Sequence, residues 1–221
     1  MKGLLYLLIG TPNSDGISII SKHTEQSKEA YRSRILSNSE NSDQKNSHSC
    51  WKWIDKNFVF ESHVDDVTEE WFLFLSNQID LADQFEACLE LLNTQSSLQI
   101  ARVISFINCD DLDHVDISEW MDGIAHFSDI FCFSNRTNRN GPKLNEIIER
   151  YKSLHYPLES ILLSKRKSIP LNQILSPTPR RITHIFDPSE LLEDDDSPDQ
   201  DYYLKKLSNG NRCHTIPNIF L

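Results

Sequence analysis

Four short, almost uninterrupted apolar runs constrain this chain more than any other feature. Residues 4–9 (Leu-Leu-Tyr-Leu-Leu-Ile), 71–75 (Trp-Phe-Leu-Phe-Leu), 103–107 (Val-Ile-Ser-Phe-Ile) and 130–133 (Ile-Phe-Cys-Phe) are apolar at nearly every position. A strand with one wet face alternates apolar and polar residues, so runs of this kind predict strands covered on both faces. Helical stripes follow them: Phe85, Cys88, Leu89 and Leu92, then Ile117, Trp120, Met121 and Ile124, then Leu144, Ile147, Ile148, Tyr151 and Leu154. Ile17, Ile19 and Ile20 open a further helix after the first run, and Asp116 with Glu119 has the spacing of a capping box. Residues 160–163 predict a fifth strand, and 51–54 with 58–60 a short hairpin. Strands alternating with helices imply right-handed crossovers and an α/β, three-layer, mainly parallel sheet, with any ligand near the carboxyl ends of the strands.

The alternation stops near Lys165. Beyond it, Pro170, Pro177, Pro179, Pro188 and Pro198, with the acidic residues Glu193 to Asp196, predict an extended C-terminal tail that wraps the domain or stays mobile. The expected division is therefore a domain over 1–165 and a Pro-rich acidic tail over 166–221. Residues 37–49 carry only polar side chains and predict a flexible loop.

A formal charge of -11, from 22 Lys and Arg against 33 Asp and Glu, opposes attraction to nucleic-acid phosphates or anionic lipid. The five cysteines, Cys50, Cys88, Cys109, Cys132 and Cys213, include no C-x-x-C pair and fit a reducing, cytoplasmic compartment. The apolar start is too short for a secretory leader, and no stretch reaches the length of a membrane span.

The first run ends in Gly10-Thr-Pro-Asn-Ser-Asp-Gly-Ile-Ser18 and then a helix, the setting in which P-loop proteins cradle phosphate with backbone amides, a lysine and a Ser or Thr. Gly10, Ser14, Gly16 and Ser18 are the residues of that loop that could serve. The cation is missing: with Gly10 as first glycine, Gly16 stands at the lysine position, and with one residue inserted, Ile17 does. Asp15 would repel a triphosphate. A plain strand-to-helix turn accounts for the same residues.

In the order of its pieces the chain resembles the CobW-type GTPases, P-loop proteins associated with metal insertion and cobalamin synthesis. Residues 71–83, with Leu81-Ala82-Asp83, lie where that family has its switch strand and sequel; 101–110, ending in Asp110, parallel its Val-Asp strand; and 127–138, with Asn135 and Asn138, parallel its Ala-Asp to Asn-Lys-x-Asp segment. The resemblance covers roughly 1–165 and implies a P-loop-NTPase-like fold with Asp110, Asn135 and Asn138 at the nucleotide. A working site would hold GTP or ATP with magnesium. The departures fall on the residues that handle nucleotide. Ser76-Asn77-Gln78 replaces the Glu-Thr/Ser-Gly switch, Asn138 replaces the aspartate that reads guanine, and the Cys-x-Cys-Cys metal motif is absent.

Asp110, Asp111 and His114, at the end of a core strand, form a second candidate, a magnesium or zinc site. The reading these residue types favour is plainer: Asp113 and Asp116 as loop and helix-cap residues, Cys109 as a small buried residue and the rest solvated. His48, Cys50 and His63 could also ligate a metal, and Arg180-Arg181 with His184 could pin the tail to the acidic body. The function expected is a catalytically silent, CobW-like domain acting as an interaction or scaffold protein, with another protein as partner and no nucleic acid or membrane. The alternative is a nucleotide-binding CobW-type GTPase or metal-handling protein with unusual motifs.

Overall fold

A computed structural model describes residues 2–26, 33–38, 49–61, 68–164, 168–187 and 197–220. Strands β1 (Gly3–Gly10), β2 (Ser33–Asn38), β3 (Ser49–Ile54), β4 (Asn57–Phe60), β5 (Glu70–Phe74), β6 (Leu98–Asn108), β7 (Ile130–Ser134) and β8 (Glu159–Leu162) form one sheet in the order β4-β3-β2-β5-β1-β6-β7-β8. All neighbouring pairs are parallel except the β3–β4 hairpin at one edge. The hairpin turns through Asp55 and Lys56, both at positive φ. The fold is the three-layer, mainly parallel α/β arrangement expected, with β1 at the centre of the sheet between β5 and β6.

The helices are α1 (Gly16–Gln26), α2 (Leu81–Thr94), α3 (Ile117–Phe127), α4 (Gly141–Ser153) and the single turn α5 (Leu171–Ile174). Crossover handedness distributes them. From β1 the chain moves toward β2, whereas after β5, β6 and β7 it moves the opposite way, so right-handed connections set α1 on one face and α2, α3 and α4 on the other. The packing agrees. Leu5, Leu7, Leu73, Val103, Ile107, Phe131 and Phe133 meet α2 to α4 in one core, while Tyr6, Leu8, Phe72, Ile104 and Cys132 meet Ile19, Ile20 and Ile174 in the other.

Two local expectations fail. Ser37 and Asn38 end β2, and Ser49 opens β3, so these three are not loop residues; residues 39–48 lie outside the described residues. Polarity misled here because a strand at this position is held by backbone pairing to β3 and β5, which asks little of its side chains. The Asp116–Glu119 capping box does not form. Asp116 sits at φ 63 in the left-handed region, and its side chain makes no cap hydrogen bond. Helix α4 instead ends as its sequence suggests, with His155 at φ 56 and the Tyr156 amide donating to Tyr151 O at 3.0 Å.

The described parts of the C-terminal segment wrap the body. On the α1 face, buried Arg102 donates to Gln173 O and Ile174 O and to Glu159, and Tyr6 Oη donates to Leu175 O. Over α2 and α3, Ile185, Phe186, Leu204 and Ile216 are buried in the larger core. Arg181, 3% exposed, pairs with the fully buried Asp129 at 3.2 Å and with Asp187 at 2.8 Å, so the basic pair does pin this segment. Nearby, Asp201 accepts from Thr183 Oγ1 at 2.6 Å and meets His126 Nε2 at 2.7 Å. The acidic stretch 193–196 lies outside the described residues.

Burial alone would raise the carboxyls of Asp201, Asp83 and Glu86, but hydrogen bonds and charge from His126 on the first, and from Arg212 with Lys56 or Lys206 on the others, hold all three below their ordinary values. A carboxyl whose pKa is depressed on folding contributes stability above its unfolded pKa and loses it as pH falls through the folded value. Urea titrations should therefore show stability constant through neutral pH and declining steadily below about pH 4.

Candidate functional site

At the carboxyl end of β1 the crossovers diverge to opposite faces, the point at which α/β sheets open a crevice. Four loops border it: 11–15 after β1, 75–80 after β5, 109–116 after β6 and 135–140 after β7. The topology thus gathers most sequence-predicted residues at one end of the sheet, with Gly10, Ser14, Gly16 and Ser18 on the first loop, Asp110, Asp111 and His114 on the third, and Asn135 and Asn138 on the fourth.

The first loop is tied down by its own backbone and by β6. The Thr11 amide donates to Phe106 O at 3.0 Å and the Ser14 amide to Thr11 O at 2.9 Å; residue 12 is proline and has no amide hydrogen. Thr11, buried at 2% exposure, accepts the Asn108 amide at its Oγ1 (3.0 Å), and Asn108 Nδ2 donates to Asn13 O at 2.9 Å. The glycines answer to close packing. A Cβ on Gly10 would stand 2.5 Å from Ser14 Oγ, and one on Gly16 2.7 Å from the Phe106 ring. Ser14 is thus folded over Gly10, while Ser18 is exposed on the first turn of α1. Thr11→Val should leave the buried Asn108 amide unpaired and cost about 1–3 kcal/mol, read as a lower urea midpoint.

The second loop is organised by Gln84 of α2. Its side chain accepts the Ser76 amide at 2.8 Å and donates to Ser76 O at 2.8 Å and Ile79 O at 2.9 Å. Asn77 Nδ2 donates to Gly10 O, bridging to the first loop. The third and fourth loops meet through Asn140, which donates to Asp110 Oδ1 (3.0 Å) and Asn135 O (3.1 Å) while its Oδ1 accepts the Thr137 amide (2.7 Å). Asn135 adopts φ 55, and Asn138 is exposed. Asn77, Asn108 and Asn140, none of them a predicted site residue except as a replacement at the switch, are among the groups that fasten the four loops to one another. The spacing Asn-x-Asp over 108–110 and the cap position before Gly141-Pro142 were the available signals.

Asp110, Asp111 and His114 do not converge. Asp110 faces Asn140, Asp111 Oδ1 accepts from Asn13 Nδ2 at 2.9 Å, and His114 bonds through Nδ1 to Val115 O and packs 5.5 Å from the Phe220 ring. Among the described residues no group of three or more His, Cys, Asp or Glu is arranged to hold a metal ion. His48 and His63 lie outside the described residues. All five cysteines are free, and burial pushes the Cys109 thiol up to about 11 and those of Cys88 and Cys132 higher still, away from thiolate chemistry.

Three oxygens in the loops around the crevice have unused acceptor capacity. Asn77 Oδ1, Asp111 Oδ2 and Ser134 Oγ are buried without a hydrogen-bond partner. The crevice's cations sit on the α4 side, where Arg136 lines a polar recess with Thr137, Asn138 and Gly141, and Lys143 shares another with Asp113, His114, Asp116 and Glu119. Lys2 lies at the opposite end of β1, and Lys22 is exposed on α1.

No family model and no curated protein matches the chain. Among solved structures, the crystal structure of Zn(II)-bound YjiA GTPase from E. coli is similar at 9% identity and a TM-score of 0.47, over 80% of this chain and 62% of that one. A zinc-bound triple mutant of YjiA GTPase is similar at 8% identity and a TM-score of 0.48, with the same coverage. The likeness is one of fold. This chain spans 62% of the length of each of those structures. Among the described residues no helix is long and apolar enough to cross a membrane.

Proposed function

We propose that the chain is a diverged, CobW-like P-loop domain that has lost nucleotide turnover and acts as an interaction protein in the cytoplasm. The observation that carries this reading is the state of the loop after β1. A phosphate cradle needs several free amides and a cation converging on one point. Here the Thr11 and Ser14 amides are consumed inside the protein, Pro12 has none, the lysine is missing and Asp15 adds negative charge. The unpartnered oxygens of Asn77 and Asp111 add acceptors where a triphosphate would need donors.

The reading is tested by phosphate release from GTP and ATP in the presence of magnesium. The expected rate equals that of buffer at any protein concentration. Release that scales with protein and disappears in a Ser18→Ala variant would establish turnover at this loop. The second reading, a nucleotide-binding GTPase or metal-handling protein, draws on the gathering of the four loops at one crevice and on Arg136 and Lys143, which could stand in for the missing lysine.

A further inference from the structure

The sheet ends on one side in the β3–β4 hairpin, and among the described residues no strand lies beyond β4. The register fixes how the backbone of that edge points. The Glu61 amide donates to Cys50 O at 3.0 Å, which makes Glu61–Cys50, Val59–Lys52 and Asn57–Ile54 the hydrogen-bonded pairs of the antiparallel ladder. Phe58 and Phe60 fall at the alternate pairs, so their N–H and C=O groups point outward from the sheet. Edge strands are ordinarily guarded by a charge, a proline or a bulge. Asn57-Phe-Val-Phe60 carries no charge and no proline, and its pairing with β3 runs without a shift. Both of its faces present apolar side chains. On the α2 side Phe58 packs on Trp51 at 4.9 Å, on Trp53 at 5.1 Å and beside Phe60 at 6.2 Å. On the other side Val59, 44% exposed, stands near Ile54, 48% exposed.

Phe58-Val59-Phe60 reads the same in both directions. Two such strands set antiparallel about a two-fold axis at Val59 bring Phe58 of each copy opposite Phe60 of the other, and the outward N–H and C=O groups of both residues then pair. No other two-fold register pairs both residues within β4. The side chains agree with that register. On the α2 side, Trp53 and Phe58 continue into Phe60 and Trp51 of the second copy as one aromatic layer. On the opposite face Val59 meets its own copy at the axis, and Glu61 lies across from Asn57, a carboxylate against an amide donor, so no like charges face each other. We propose that β4 is a homodimer interface through which two copies of the chain join their sheets edge to edge. This inference names a partner for the interaction reading and rests on that reading only for a role in the cell; the edge itself is independent of the β1 loop.

Sedimentation velocity of the full chain tests the proposal. The expected result is a species of twice the chain's mass that grows with concentration across roughly the micromolar range. V59K and V59E each place like charges across the axis and should weaken association by at least about tenfold, whereas their equimolar mixture sets opposite charges there and should restore it. Leu162→Lys, at a position 46% exposed on the opposite edge strand β8, should leave the mass distribution unchanged. Far-UV circular dichroism checks that each variant is folded. Should a charged variant not fold, V59C stands in. Copper phenanthroline should oxidise its thiols to a disulfide across the axis, where facing side chains are close, and faster than it cross-links the unmodified chain. The proposal is overturned by a chain that stays monomeric throughout that range, by association that V59K and V59E leave intact, or by a mixture that does not recover it. Equal loss on Leu162→Lys, or V59C cross-linking no faster than the unmodified chain, overturns it as well. None of these outcomes bears on phosphate release or nucleotide titration, so the interface can fail while the silent-domain reading stands.

Discussion

Replacing Asp129 by alanine is expected to destabilise the fold by about 3–5 kcal/mol, because it strands a buried guanidinium. Asp129 is fully buried, its Oδ2 accepts the Val103 amide at 2.8 Å, and its Oδ1 accepts the Arg180 and Arg181 amides, while the Arg181 guanidinium contacts both oxygens. Removing the carboxylate leaves Asp187 as the remaining carboxylate on Arg181 and takes the acceptor from three backbone amides, those of Val103 and Arg181 buried. Asp129→Asn retains one acceptor oxygen and should cost less than alanine. Urea midpoints of the two variants, compared at equal slope, check the ordering. The residue matters because it joins the start of β7 to the segment that crosses back over α3, so its loss should also detach residues 180–187.

The second large effect is expected at Phe85. Its ring stacks on Phe127 at 4.0 Å and meets Phe186 at 6.3 Å, so one side chain on α2 joins α3 to the C-terminal segment. It is fully buried. Truncation to alanine leaves a cavity in close-packed surroundings and should cost about 3–5 kcal/mol, measured as a fall in the urea midpoint. Leucine at the same position refills most of the volume and should recover the larger part of the loss.

The sheet was readable because its central strands are buried on both faces, so residues 4–9, 71–75, 103–107 and 130–133 could hardly be anything else, and all four lie in one sheet. Strand β2 was not readable. Only Ile35 and Leu36 are buried hydrophobics in it, and its place is set by pairing to β5, a partner more than thirty residues away in sequence. Asp116 misled because its spacing to Glu119 imitates a cap whose backbone geometry is not adopted.

The crevice was legible only in its location. The glycines of the first loop suggested phosphate, yet Gly10 and Gly16 answer to Ser14 and Phe106. Spacing alone cannot separate a glycine that admits a ligand from one that admits a neighbouring side chain. The asparagine ties through Asn77, Asn108 and Asn140 depend on loops brought together by the sheet, a relation no local pattern carries.

Isothermal calorimetry of the purified chain with GTP and with ATP, each with magnesium, addresses the loss of nucleotide handling most directly. A charge-assisted hydrogen bond to phosphate is worth roughly 1.5–3 kcal/mol, so the missing lysine alone should weaken binding by about one to two orders of magnitude. The internally spent amides of Thr11 and Ser14 and the charge of Asp15 weaken it further. The expected result is no saturable heat for either nucleotide up to about millimolar concentration. A low-micromolar dissociation constant for GTP or ATP would contradict the account and require a substitute cation at the β1 loop.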